Sequence, residues 1–466
     1  MKMWAGRFRQ PLNPEFERWQ RSFPFDRRLI EEELAASRAH ARALASAGVL
    51  SQAEMDSIFS GLDEIRQQAT NPESLRDEEA EDVHHFVEKR LAALIGEAGH
   101  KLHSGRSRNE QIAADLRLYV RRSIDNLQRG LGELLEALIA RAEKSGVAAM
   151  PSYTHLQPAE PVLVAHWLLA YAEMFFRDSG RLADCRKRLN RCPLGSGAVA
   201  GTTLPLDRAA MAADLGFDQP TANSLDATSD RDFAVEFLQT LSMMAVHLSR
   251  VAEEMILFST REFGFLRLPE AYSTGSSAMP QKQNPDAMEL IRGKAARVIG
   301  DATSLATAVK GLPLAYNKDL QETQEPVFSA AETMQAVVSI AAGFVSAVEF
   351  DYDRMHAAAN SGFMNAMAAA HYLVARGVPF RRAHEQIGKA VQWCLEKRCE
   401  LEDMPLDELR RFAPEADQDF YSHLTLDAVL SCHNVEGGTA PACVRQALAE
   451  AGERLAALRG EMHAHA

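Results

Sequence analysis

The sequence predicts an all-α protein of three domains. A central bundle of five long helices would occupy residues 106–355, between an N-terminal helical domain over 1–105 and a small C-terminal helical domain over 356–466. Three observations carry this expectation. Apolar residues recur in steps of three and four over stretches several times longer than an ordinary helix. Glycine and proline fall at the ends of those stretches, where helices start and stop. The chain, at 466 residues, is also longer than one ordinary domain.

The first helix expected runs from Asp26 or Arg27 to about Ala47 and stops at Gly48. Ser51-Gln52-Ala53-Glu54 then has the form of a capping box that opens a second. The acidic run Glu78-Glu79-Ala80-Glu81-Asp82 suits the N-terminus of a third, spaced through Phe86, Leu91 and Leu94. From Asn109 to Lys144, Ile112, Leu116, Val120, Ile124, Leu127, Leu131, Leu134 and Leu138 mark one continuous apolar stripe. At about 1.5 Å per residue that helix is roughly 50 Å long, a length that belongs to bundles. Four more long helices are expected over Pro161–Arg191, Ser229–Phe263, Pro285–Gly311 and Glu322–Phe350. Phe237, Leu238, Leu241, Met243 and Met244, with Val337, Val338 and Ile340, cover more than one helix face, which predicts burial by other subunits. Past Asp353, shorter helices are expected over Ala368–Arg376, Phe380–Lys397 and Pro441–Leu458.

Composition narrows the function. The chain is 46% hydrophobic and 25% charged, with mean hydropathy −0.22, values of a soluble globular protein. Its net charge of −13 argues against nucleic acid or an anionic membrane as the main partner. The start has no apolar run of signal-peptide length, and no later stretch reads as an uninterrupted membrane span, so a cytoplasmic location is expected. Six cysteines without Cys-x-x-Cys spacing indicate reduced thiols, with no zinc site, disulfide framework or other cofactor. Gly195, Gly197 and Gly201 lack the Gly-Lys-Ser/Thr ending of a phosphate loop and read as a close-packed turn.

Three stretches carry chemistry. Ser273 to Pro285, Ser-Thr-Gly-Ser-Ser-Ala-Met-Pro-Gln-Lys-Gln-Asn-Pro, lacks helical or strand periodicity and reads as a mobile loop. Its N–H groups and Lys282 are suited to stabilising a serine alkoxide, or the charge left when a proton leaves carbon beside a carboxylate. Ser152 to Pro158 places His155, able to donate and accept protons near neutrality, before a long helix. Lys101 to Asn109 gathers Arg106, Ser107, Arg108 and Asn109 at a helix start, a good carboxylate site.

Gly275 to Pro285 resembles, without a gap, the Gly-Ser-Ser-x-Met-Pro-x-Lys-x-Asn-Pro loop of the fumarase/aspartase superfamily, and Thr154-His155-Leu156-Gln157-Pro158 resembles its second motif. Within it, Gly105-Arg106-Ser107-Arg108-Asn109, the opening Met3-Trp4-Ala5-Gly6-Arg7-Phe8, Ser22 with Asp26, Asp226 to Asp232 and Gly311 to Glu322 resemble, in order, segments of the argininosuccinate lyase family. The resemblance implies β-elimination of argininosuccinate to arginine and fumarate by a homotetramer whose active sites are shared between subunits. It implies catalytic roles for Ser276, His155, Glu289 and Lys282, which of Ser276 and His155 is the base staying open. It implies substrate contacts from Ser22, Ser107, Arg108, Asn109, Thr154, Asn284, Tyr316, Gln321 and Gln324, with Arg231 a weaker candidate. Gln324 stands where the family usually has a substrate-binding lysine, Gln283 where a second lysine is common, and Ala278 resembles the corresponding residue of adenylosuccinate lyase. Another fumarate-releasing lyase, or a non-catalytic crystallin-like relative, is the alternative.

Overall fold

The computed structural model describes residues 10–465, the side chains of 461–465 excepted. The Met3 to Phe8 motif therefore lies outside the described residues. Contacts divide the chain into two compact units, each built from three stretches: residues 10–126, 181–242 and 297–334 in the first, and 127–180, 243–296 and 335–465 in the second.

The N-terminal helices form where their punctuation places them. Helix α1 spans Ile30–Ser46 and is closed by Gly48 at φ 75°. Helix α2 spans Gln52–Ala69 behind a complete capping box: Glu54 N–H donates to Ser51 Oγ at 3.3 Å and Ser51 N–H to Glu54 Oε2 at 2.9 Å. Helix α3 spans Val83–Ile95, with the Asp82 side chain as its N-cap. The long helix α4 covers Arg108–Ser145, and Leu116, Val120, Ile124, Leu131 and Leu138 of its apolar stripe are fully buried.

The second long helix departs from expectation. Pro161 is not its first residue: Ala149–Thr154 (β1) and Gln157–Leu163 (β2) form an antiparallel hairpin in which Pro161 faces Pro151, and helix α5 spans Val164–Leu189. Proline is tolerated there because a two-stranded ribbon has only edges. Helices α6 (Asp232–Ser259), α7 (Asp286–Val309) and α8 (Gln324–Ala347) complete the long set, α8 entered through a 3₁₀ turn at Lys318–Thr323. Phe237, Leu238, Leu241, Met244, Val337 and Val338 are at most 4% exposed within one chain, so their burial needs no other subunit. Met243 and Ile340 remain 43% and 42% exposed. Lys318–Ala347 is long and apolar enough to cross a bilayer by length and composition alone; 56% of its most apolar window is buried inside the protein, as in a core helix.

Beyond α8, helices Ala366–Ala375, α9 (Phe380–Lys397) and α10 (Pro441–His465) follow the expected order. Leu373, Ile387, Cys394, Leu409 and Phe420 share one buried core there, and all six cysteines are free.

Candidate active site

A cavity of about 690 Å³ opens in the first unit, lined by segments far apart in sequence: 12–22, 79–85, 103–112, 197–203 and 316–324. Seven of the expected substrate-binding residues line it: Ser22, Ser107, Arg108, Asn109, Tyr316, Gln321 and Gln324. Local chemistry fixes each of them. Ser22 Oγ donates to Asp26 Oδ2 at 2.6 Å, and Asp26 Oδ1 accepts Val83 N–H at 3.0 Å, tying the serine to the start of α3. Burial first, then the neighbouring Asp82 carboxylate, pushes Asp26 up to about 7. Asp82 in turn holds Arg108 Nε at 3.1 Å. Asn109 donates from its side chain to Ala198 carbonyl at 3.1 Å, and Gln321 to Gln20 carbonyl at 3.1 Å. Tyr316 follows Ala315, which is held at φ 68°, and burial pushes its phenol up to about 12. Gln324 is 2% exposed and its Oε1 has no hydrogen-bond partner. A buried amide oxygen left open on a cavity wall is an acceptor for a ligand donor.

The glycine turn read as packing is also a wall of this cavity: Gly197 and Gly201 line it, and Gly197 N–H donates to Glu110 Oε2 at 2.8 Å. Arg106, read from sequence as part of a carboxylate site, lines it too, as do Arg21, His85, His103 and Lys318, to which sequence reasoning gave no role. No pattern in the sequence marked Arg21, His85 or Lys318.

Arg106 is anchored from behind. Its Nη1 donates to Ser37 Oγ at 3.0 Å, Ser37 donates to Glu33 Oε1 at 2.6 Å, and Arg106 Nη2 stands 3.6 Å from that oxygen. His84 Nδ1 lies 2.8 Å from Glu33 Oε2 and therefore carries its proton on that nitrogen. Burial alone would raise the Glu33 carboxyl, but His84 and Arg106 outweigh it and hold it well below the usual range. Burial and then the Glu33 charge push Asp115 well above its ordinary value. Glu33, His84 and Asp115 present ligand atoms within 4.8 Å of one another, the spacing of a metal cluster. Ser37, His84, Gln111 and Arg106 surround Glu33 as a buried ion network. His103, lowered to about 4 by burial and then by Arg106 and Arg108, is neutral on the cavity wall. Arg231 is 1% exposed and makes no ion pair with Asp230 or Asp232; it donates to the Asp230 backbone carbonyl at 2.7 Å.

The remaining expected residues lie in the second unit. The 273–285 stretch, read as a loop without strand character, is a short hairpin: Thr274–Gly275 (β3) pairs with Gln283–Asn284 (β4). Asp286 Oδ2 accepts both Thr274 N–H at 3.1 Å and its hydroxyl at 2.7 Å, which closes the base. Gln283 pins the same base, donating to Leu268 carbonyl at 3.2 Å and Ser273 Oγ at 3.1 Å. At the tip, Ser276 Oγ accepts N–H groups from Ala278 at 3.2 Å and Met279 at 3.1 Å. Two amides aimed at one oxygen lower the cost of ionising it. Lys282 is exposed beside them, and Asn284 is half-buried.

Thr154 and Gln157 pair across the tip of the β1–β2 hairpin, so His155 and Leu156 form its two-residue turn, at φ 55° and 58°. This is the geometry of a type I′ turn, normally filled by Asn-Gly; each residue with a Cβ costs on the order of 1 kcal/mol there. The backbone strain presents the imidazole outward, and Thr154 beside it is exposed. Glu289 stands exposed in the first turn of α7 and makes no hydrogen bond to His155 within the described chain.

An all-α chain with a serine-tipped hairpin, an outward histidine and a cavity lined by both arginines and carboxylates is an arrangement to set beside the lyases of the fumarase fold. The solved structure of EDDS lyase in complex with formate superposes with a TM-score of 0.84 at 26% identity, covering 97% of this chain and 92% of that one. Class II fumarase from Schistosoma mansoni shares the fold, with a TM-score of 0.74 at 16% identity over 85% of this chain and 89% of its own. Residues 6–300 match the family model described as Lyase, and residues 363–431 the one described as Argininosuccinate lyase C-terminal. The argininosuccinate lyase of Koribacter versatilis is 62% identical over the whole of both chains, and that of Acidobacterium capsulatum is 58% identical over 96% of this chain and 93% of its own. The chain belongs to the argininosuccinate lyase family.

Proposed function

We infer that the chain cleaves argininosuccinate to arginine and fumarate by β-elimination. The single observation that carries this beyond family membership is the gathering of seven expected substrate-binding residues, distant in sequence, around one cavity. We propose Ser276 as the base that removes the carbon-bound proton, because two backbone N–H groups already converge on its oxygen. The aci-carboxylate formed is held by Lys282, Asn284 and the hairpin amides, and His155 with Glu289 protonates the departing guanidinium nitrogen. Each proton transfer is worth about 10² to 10⁴ in rate.

We further propose a homotetramer in which different copies supply the hairpin, the histidine turn and the cavity to one site. Exposed apolar side chains on the long helices, Met243, Val246, Leu290, Ile299 and Ile340, support the assembly. A cytoplasmic location and a bundle over 106–355 between two end domains belong to the same reading. The test is fumarate release, followed by its ultraviolet absorbance, with argininosuccinate and adenylosuccinate offered separately. Release from argininosuccinate alone is expected; release from adenylosuccinate alone, the reading Ala278 favours, overturns the assignment, and release from neither leaves the crystallin-like alternative.

A further inference from the structure

One imidazole on the cavity wall has its tautomer set by the backbone. His85, in the first turn of α3, is half-buried and lines the cavity. Its Nδ1 accepts the Glu81 N–H at 3.2 Å. A backbone amide can only donate, so Nδ1 must present its lone pair, and the neutral ring carries its proton on Nε2. Among the described residues no acceptor takes that Nε2–H.

The same short segment positions the neighbouring groups. The Glu81 carbonyl accepts Ser22 N–H at 3.0 Å. Asp82 accepts His85 N–H at 2.7 Å with one carboxylate oxygen and holds Arg108 at 3.1 Å with the other. The hydroxyl of Ser22, the ring of His85 and the guanidinium of Arg108 are thus registered to one dipeptide.

We propose that His85 is a substrate-binding residue for the arginine end of the substrate, donating from Nε2 to its α-carboxylate. The chemistry selects the group: guanidinium and ammonium are themselves donors, so only a carboxylate accepts this bond. On the proposed function, which this inference rests on, Lys282 and Asn284 take the two succinyl carboxylates, leaving the amino-acid carboxylate to the cavity.

Calorimetric titration of the full chain with L-arginine, and separately with fumarate, tests it. His85→Asn keeps an acceptor for Glu81 N–H but removes the outward donor, and arginine affinity falls about tenfold or more while fumarate affinity is unchanged. His85→Gln, whose amide reaches the Nε2 position, recovers most of the loss. Unchanged arginine affinity in His85→Asn, a loss confined to fumarate, or no recovery with glutamine overturns the proposal. A crystal structure of the unaltered chain with arginine reads the same contact without any variant: Nε2 within about 3.2 Å of the carboxylate supports it, and a carboxylate bound elsewhere overturns it. Turnover of argininosuccinate by the unaltered chain is measured alongside, so that failure of the functional reading is separable from failure of the His85 contact.

Discussion

Ser276, the proposed base, shows how little such a role would need from the side chain itself. Its hydroxyl is an ordinary poor base, and what distinguishes it is the pair of N–H groups supplied by Ala278 and Met279. Ser276→Ala removes the oxygen those amides serve, and kcat falls at least about 10² to 10⁴-fold with the fold intact; a variant retaining most of its turnover removes Ser276 from the chemistry. Asp26 makes a second prediction at this scale. Its folded value, about 7, lies above the ordinary carboxylate value of 3.8. A group raised on folding stabilises the fold most below its unfolded value, and that contribution is lost as pH rises from about 4 through about 7. Between about pH 5 and about pH 8, denaturation midpoints should therefore fall more steeply for the wild-type chain than for Asp26→Asn, by on the order of 1–3 kcal/mol. Parallel slopes would show that Asp26 is not the titrating group.

At the scale of elements, the turn before α4 sets the cavity's guanidinium groups. Gly105 has φ 71°, and a Cβ there would lie 2.5 Å from Leu204 Cδ1 and 3.0 Å from Thr202 Oγ1. Gly105→Ala therefore forces the turn to move and displaces Arg106 and Arg108. We expect a loss of about 1–3 kcal/mol in chemical denaturation together with a rise in KM; an unchanged KM would mean the turn absorbs the methyl group without moving the arginines. Elements also show what sequence could reveal. The long helices were legible because the three-four apolar spacing repeats over many turns: α4 begins and ends within a residue of its expected bounds. The 149–163 hairpin was not, because its proline-bearing strands are too short to show alternation and Pro161 mimics a helix start. The serine-tipped stretch and the Thr154 to Pro158 turn were found by resemblance, whereas His85 and Arg21 face the cavity through packing that no local pattern encodes.

For the whole molecule, the surface left after folding carries the prediction. Most of the apolar residues expected to meet other subunits are consumed inside the chain, so assembly rests on a thinner set that includes Met243 and Ile340. If the proposed tetramer forms, replacing both with glutamate should shift the particle, weighed by light scattering, toward fewer chains and lower activity with it; an unaltered mass would remove these positions from the interface. Shared sites predict complementation as well. Ser276→Ala chains mixed and reassembled with His155→Ala chains should recover part of the wild-type rate, because some sites then draw both intact groups from different copies; no recovery would count against sharing.

The histidine turn has a consequence for how such a chain ages in evolution. His155 and Leu156 occupy two consecutive left-handed positions that asparagine and glycine would fill with less strain. On the proposed role of His155, selection for turnover is what keeps an imidazole there. In a descendant recruited for bulk or transparency rather than chemistry, these two codons are where relaxation would surface early, and a thermally hardier protein with Asn-Gly at the turn would be its signature.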